Sequence, residues 1–258
     1  MPAPMIEPGI AVVTGASSGI GRACAISLAV AGWTVVTSGR RQDQLEETFN
    51  LAKRQKQDIK PMRAVAGDLT NSIDVDALFQ VVEKEFGRLD LLFNNAGKSL
   101  PGVPMDELSV QDFESIVSIN VTAPFLCSRH AFRIMRDQQP QGGRIINNGS
   151  ISAYTPRPFS APYTLTKHAI AGLTKSLALD GRAYRIACSE IDIGNAESSM
   201  ASKDDPGKMQ SWGQIVKEPV MAVDYVADAL VYMASLPLEV NILNQTIMAT
   251  NMPFVGRG

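Results

Sequence analysis

Tyr163 and Lys167 stand four residues apart. On a helix that spacing puts both side chains on one face, one turn from each other. An ammonium held beside a phenol favours the phenolate, which suits a general acid/base working near neutral pH. Ser150 lies 13 residues upstream, across a loop carrying Pro156 and Pro158, and offers a hydroxyl to the same place. The same Tyr/Lys pair also describes a half-buried ring beside a solvated cation, so the rest of the chain has to decide.

Two earlier stretches bear on that decision. Thr14-Gly15-Ala16-Ser17-Ser18-Gly19-Ile20-Gly21 follows a short apolar run and opens a small-residue helical stretch. Its glycines are spaced GxxxGxG. Glycines there let the backbone turn tightly and approach a pyrophosphate, and a helix N-terminus supplies free N–H groups and a positive dipole end. A Gly/Ser-rich turn with no ligand is the bland alternative; the strand-turn-helix context favours the phosphate site. About 20 residues past the last glycine, a carboxylate would hold a ribose 2′-hydroxyl and an arginine a 2′-phosphate. This chain has Ser38-Gly39-Arg40-Arg41 there, and Asp43 is placed to start the next helix. Two arginines pair with a phosphate by charge-assisted bonds. They favour NADP (NADPH) over NAD, the alternative being a solvated basic turn.

Alternating elements must carry these residues. Apolar runs at Ile10–Thr14, Thr34–Thr37, Met62–Ala66, Leu89–Phe93, Arg144–Asn148, Ile186–Ile191 and Thr246–Ala249 read as strands. Helical patterns fall at Gly21–Ala31, Gln42–Gln57, Ile73–Phe86, Ser109–Arg136, Ala161–Leu179 and Asp224–Ala234. Repeated βα units with short links predict an α/β fold. That is a doubly wound, mostly parallel sheet of Rossmann type, three-layer α/β/α, in a single domain over 1–258. A net charge of −2 gives no footprint for nucleic acid or an anionic membrane surface. Cys24, Cys127 and Cys188 are isolated, with no metal-ligand spacing, and the first residues lack a basic and apolar leader pattern. Reduced thiols in a cytoplasmic setting, and no metal, are the expectation.

Taken together, Thr14-Gly15-xxx-Gly19-x-Gly21, Asp68-Leu69, Asn94-Asn95-Ala96-Gly97, Asn120, Ser150 and Tyr163-xxx-Lys167 resemble the short-chain dehydrogenase/reductase family, single-domain branch. The match runs in order from about residue 9 to about residue 194. The resemblance implies an oxidoreductase that interconverts a carbonyl and a secondary alcohol. Tyr163 would be the general acid/base, and Lys167 would favour its ionised form and bond the nicotinamide ribose. Ser150 would polarise the carbonyl, and Asn120 would hold a relay water behind Lys167. Gly15, Ser17, Ser18, Gly19, Ile20 and Gly21 would cradle the phosphates. Asp68 and Leu69 would lie at the adenine, Asn95-Ala96-Gly97 along the adenosine side, and Gly194 and Ser198 near the nicotinamide carboxamide. Ser152 rivals Ser150, whose spacing is the better one. His168 reads as structural, and His130 as an interface or surface residue.

The chain also departs from the family pattern. The strand after the tyrosine helix usually ends Asn-Pro-Gly, with Thr four past the glycine; here it ends Asp192-Ile193-Gly194, and Ser198 stands at the Thr place. The C-terminal residues depart as well. Two other readings stand beside the enzyme. A non-catalytic dinucleotide-binding regulator would be expected to lose the Tyr or the Lys, and a nucleotide-sugar epimerase would need a longer C-terminal part. Apolar residues on several sides of Ser109–Arg136 and Ala161–Leu179 predict a homodimer or homotetramer. The stretch at about 195–217, with Met200, Met209 and Trp212 among turn-formers, predicts a substrate lid.

Overall fold

The computed structural model of the protein describes residues 6–197 and 207–255. Seven strands make one sheet: β1 (Ile10–Thr14), β2 (Thr34–Gly39), β3 (Arg63–Ala66), β4 (Leu91–Asn94), β5 (Gly143–Asn148), β6 (Ile186–Ile193) and, near the end of the chain, β9 (Asn244–Ile247). Every pairing is parallel, and the order is β3-β2-β1-β4-β5-β6-β9. Parallel strands need covered crossovers, and helices supply them. Side chains alternate across the sheet. Ala11 and Val13 pack on the side of α1 (Gly19–Val30), α2 (Gln42–Gln55) and α7 (Val223–Ser235). Val12 packs on the side of α3 (Ser72–Phe86) and α5 (Ala123–Asp137), where the last turns of α6 (Ala161–Asp180) also sit.

Local sequence sets the helix ends. Asn71 caps α3 by accepting a bond from the Ile73 N–H, and Gly87 ends it in the left-handed region. Ser109 caps α4 (Val110–Val117) by accepting from the Asp112 N–H. The expected single helix over Ser109–Arg136 is broken. A π-helical turn at Ser118–Thr122 separates α4 from α5. Pro124 has no N–H to give the Asn120 carbonyl four residues back, so the regular ladder opens at Asn120.

Three other expectations shift. β6 runs two residues further than the apolar run suggested, through Asp192 to Ile193, and β9 starts two residues earlier. The stretch expected as loop carries a small antiparallel ribbon, β7 (Lys208–Met209) with β8 (Ile215–Val216). Ser198 and Met200 lie outside the described residues. Among the described residues no helix is long and apolar enough to cross a membrane.

Candidate active site

The strand order reverses between β1 and β4, which opens a crevice at their carboxyl ends. A cleft of about 760 Å³ lies there. Thr14, the last residue of β1, holds the two strand ends together: its hydroxyl accepts from the Asn95 N–H (2.9 Å) and the Ala96 N–H (3.0 Å). The Asn95 amide donates to the Thr14 carbonyl (2.9 Å) and accepts from Asn148 (2.9 Å).

One wall is built for a phosphate. Gly15 sits at φ 66° and Gly19 at φ 54°. A Cβ on Gly21 would lie 2.3 Å from the Asn95 amide nitrogen and 2.4 Å from the Gly15 carbonyl oxygen, so only glycine closes this turn. Helix α1 begins with Ser18 as N-cap, and no side chain caps it. Its first N–H groups are therefore left to a ligand. Arg41 extends from the end of β2 and donates to the Ser17 and Ser18 hydroxyls (3.1 and 3.4 Å). Arg40 is exposed beside it, and no carboxylate stands at the end of β2. Asp68 accepts from the Thr70 N–H and hydroxyl, and these bonds, with Arg40 nearby, hold its carboxyl below the usual carboxylate range. A dinucleotide fits these residues: a tight glycine turn, an uncapped helix start and two exposed guanidinium groups on one wall.

The opposite end of the cleft holds the candidate chemistry. Pro162 in the first turn of α6 fits a position where no N–H is needed. One turn on, the Lys167 ammonium lies 5.5 Å from the centre of the Tyr163 ring. It is buried, and it donates to the Asn148 carbonyl (2.7 Å). Asn120, in the π turn, spans the cleft floor. It accepts from the Lys98 N–H (2.8 Å) and donates to the Lys98 carbonyl (2.9 Å) and to Thr166 (3.2 Å), whose hydroxyl is bonded to the Tyr163 carbonyl. The π turn thus places an amide against a threonine hydroxyl of the tyrosine helix.

The cleft wall gathers Gly15, Ser17, Ser18, Gly19, Ile20, Gly21, Arg40, Arg41, Asp68, Leu69, Asn95, Ala96, Gly97, Asn120, Tyr163 and Lys167. Ser150 and Gly194 do not line it. Ser150 is buried in the turn after β5, and its hydroxyl accepts from the Ser152 N–H (3.1 Å). Gly194 is packed under Met248 and Met252. Neither Met209 nor Trp212 lines the cleft, and Trp212 is exposed. His168 is exposed and bonded to the Thr164 carbonyl. His130 stacks on Phe79 and pairs with Asp76 inside the subunit. Sequence reasoning missed Asn148, Lys98 and Glu190. Asn148 stands two residues before Ser150 at the end of a strand, a place from which a backbone carbonyl reaches the cleft. Glu190 lies in register with Ile186 and Cys188 on the same face of β6.

Comparison with known proteins agrees with this geometry. The family model described as short chain dehydrogenase matches residues 9–208. A 3beta-hydroxysteroid dehydrogenase of Mediterraneibacter gnavus is 35% identical over 201 residues, covering 75% of this chain and 68% of the relative. The crystal structure of acetoin dehydrogenase YohF from Salmonella typhimurium superposes with TM-score 0.81 at 27% identity, covering 98% of both chains. A 3-ketoacyl-(acyl-carrier-protein) reductase from Brucella melitensis, solved with NADH, gives TM-score 0.80 at 25% identity, covering 93% of this chain and 97% of that one. With its parallel sheet, its phosphate-type glycine turn and its Tyr/Lys pair, this chain belongs to the short-chain dehydrogenase family of oxidoreductases.

Proposed function

We propose that the protein interconverts a carbonyl and a secondary alcohol on a small organic substrate, with NADP(H) as its redox partner. The observation that carries this reading is the buried Lys167 ammonium beside the Tyr163 ring, in the same cleft as the glycine turn. The bound nicotinamide supplies the chemistry of hydride transfer to and from carbon. In the reducing direction Tyr163 gives its hydroxyl proton to the substrate oxygen as negative charge builds there. Lys167 stabilises the tyrosinate that remains. Ser150 is set back from the cleft wall in the turn after β5, and its hydroxyl, held by the Ser152 N–H, is assigned as a second donor to that oxygen once substrate is bound; a donor fixed in advance needs little reorganisation as the charge develops. Asn120 braces α6 and would hold the water through which Tyr163 regains its proton.

Arg40 and Arg41 support NADP(H) over NAD(H). Both are exposed at the end of β2, where a 2′-phosphate would lie, and Arg41 is steadied by two serine hydroxyls. The ribbon β7–β8 and its neighbours are proposed as the lid over the nicotinamide end. A homo-oligomer through α5 and α6 is also proposed. Phe125 on α5 is half exposed, and an apolar hollow between these helices is walled by Phe132, Leu173, Leu177 and Tyr184.

The test is a spectrophotometric screen for NADPH oxidation over ketones and aldehydes and for NADP⁺ reduction over secondary alcohols. Turnover of at least one pair supports the reading. Dinucleotide binding with no turnover over the whole panel would favour a binding protein of the same fold.

A further inference from the structure

Two acids of β6 lie directly behind the Ser150 turn. Glu190 and Asp192 are two residues apart on one strand, so they share a face, and both are buried. Both carboxyls converge on Gly149. A Cβ there would lie 2.1 Å from Asp192 Oδ1 and 2.4 Å from Glu190 Oε1, so the glycine admits the pair.

Their hydrogen bonds are unequal. Asp192 accepts three: from the Ser150 N–H (2.8 Å), the Tyr154 hydroxyl (2.9 Å) and the Asn244 amide (2.6 Å). Both of its oxygens are thus engaged as acceptors. Glu190 Oε1 is buried and faces no donor. Its side chain is within hydrogen-bonding reach of Asp192, so a proton on Glu190 would be donated to its neighbour. Lys167 and a hydrogen bond from Thr174, both on α6, favour the ionised form of Glu190, and burial and the Asp192 carboxyl outweigh them. Tyr154 comes from the turn after β5, and β9 contributes only the neutral Asn244.

We propose that Glu190 and Asp192 hold one proton between them and act as positioning residues for Ser150, so that loss of this proton loosens the Ser150 turn. The proposal rests on the reading of Ser150 as the donor to the substrate oxygen. With the proton in place, Asp192 is the single anion, and it grips the Ser150 N–H. When the proton leaves to solvent, two buried anions face each other across Gly149 and push the turn apart. Burial, and then the Asp192 charge, push the Glu190 carboxyl up to about 8. The change therefore falls just above neutral pH, apart from the proton that Tyr163 transfers.

The experiment has two readouts, an infrared one on the cofactor-free protein and a kinetic one with NADPH and a substrate found in the panel. An infrared titration from pH 5 to 10 follows the protonated-carboxyl stretch in wild type, Glu190→Gln and Asp192→Asn. One carboxyl that ionises near pH 8 in wild type, is absent in Glu190→Gln, and ionises lower in Asp192→Asn is the expected result. In parallel, the ratio of kcat/KM at pH 9 to that at pH 7 is measured. Loss of one proton near pH 8 lowers it about tenfold in wild type. Glutamine keeps the shape of the neutral acid, and the ratio moves toward one in Glu190→Gln. A purely structural glutamate would leave that ratio unchanged. Wild type with no carboxyl titrating above pH 7, or Glu190→Gln with the wild-type ratio, overturns the proposal. The infrared arm needs no substrate, so a chain that turns nothing over contradicts the catalytic reading while leaving the pair testable.

Discussion

The strap that follows β6, residues 207–221 with the ribbon β7–β8, is fastened by a buried ion pair, and cutting it should loosen the strap locally. The Glu218 side chain is 1% exposed and that of Arg157 17%. Glu218 accepts from Arg157 Nε and Nη2, from the Asn195 amide (2.7 Å) and from the Gln210 amide (2.9 Å). Burial alone would raise its pKa, but the bonds from Arg157, Gln210 and Asn195 outweigh burial and hold it below the usual carboxylate range. Breaking a buried pair by removing one partner costs about 3–5 kcal/mol. Arg157 keeps some water and a bond to Asn195 (3.3 Å), so Glu218→Ala is expected to cost about 2–3 kcal/mol. That is roughly 30–150-fold in the local opening equilibrium. The cost should appear in the strap and not in the sheet, because local units open at their own free energies. Hydrogen exchange reads it at the Gln210 and Met221 amides, which donate to the Gln214 and Asn195 carbonyls. The sign with pH follows from the lowered pKa. The stabilisation is full above the ordinary carboxylate value, about 4.3, and is lost as pH falls through the folded value. Unchanged exchange at both amides in Glu218→Ala would refute the reasoning.

Other outcomes are expected on the same grounds. Arg40→Asp should weaken NADP(H) binding by about tenfold to a hundredfold and NAD(H) binding far less, since a charge-assisted bond to phosphate is worth about 1.5–3 kcal/mol; equal wild-type affinity for both cofactors, measured by fluorescence titration, would sink this. Light scattering at micromolar protein should give a dimer or tetramer mass, and a monomer mass would leave the exposed Phe125 and its apolar surroundings unexplained. Adding NADPH should slow hydrogen exchange across 195–214 if that stretch closes over the nicotinamide, and an identical exchange pattern with and without cofactor removes the lid.

Much of the fold was legible because parallel strands buried on both faces read as short apolar runs between helical patterns. Leu91–Asn94 and Ile186–Ile193 are wholly buried strands of this kind. The break at Asn120 was harder to see. The apolar pattern continues through Phe125 and Phe132, while the signal for the break is one proline whose effect falls four residues earlier. The far end of β6 was cut short because Asp192, just before Gly194, looks like a loop residue. Only the three-dimensional packing gives Asp192 the Ser150 N–H, the Tyr154 hydroxyl and the Asn244 amide to face. The candidate site was largely legible because its residue types are dictated by chemistry: glycines where a Cβ would collide, a phenol and an ammonium one helical turn apart. Asn148 was not, since it works through its backbone carbonyl, which any residue possesses.

The central claim is that Tyr163 supplies the proton at the substrate oxygen. Tyr163→Phe keeps the ring over which Lys167 lies and removes only the hydroxyl. With a substrate found in the panel, steady-state kinetics and NADPH titration of this variant test the claim most directly. The account predicts a fall in kcat of at least about 10²-fold with cofactor affinity little changed. Turnover close to wild type in Tyr163→Phe would contradict it.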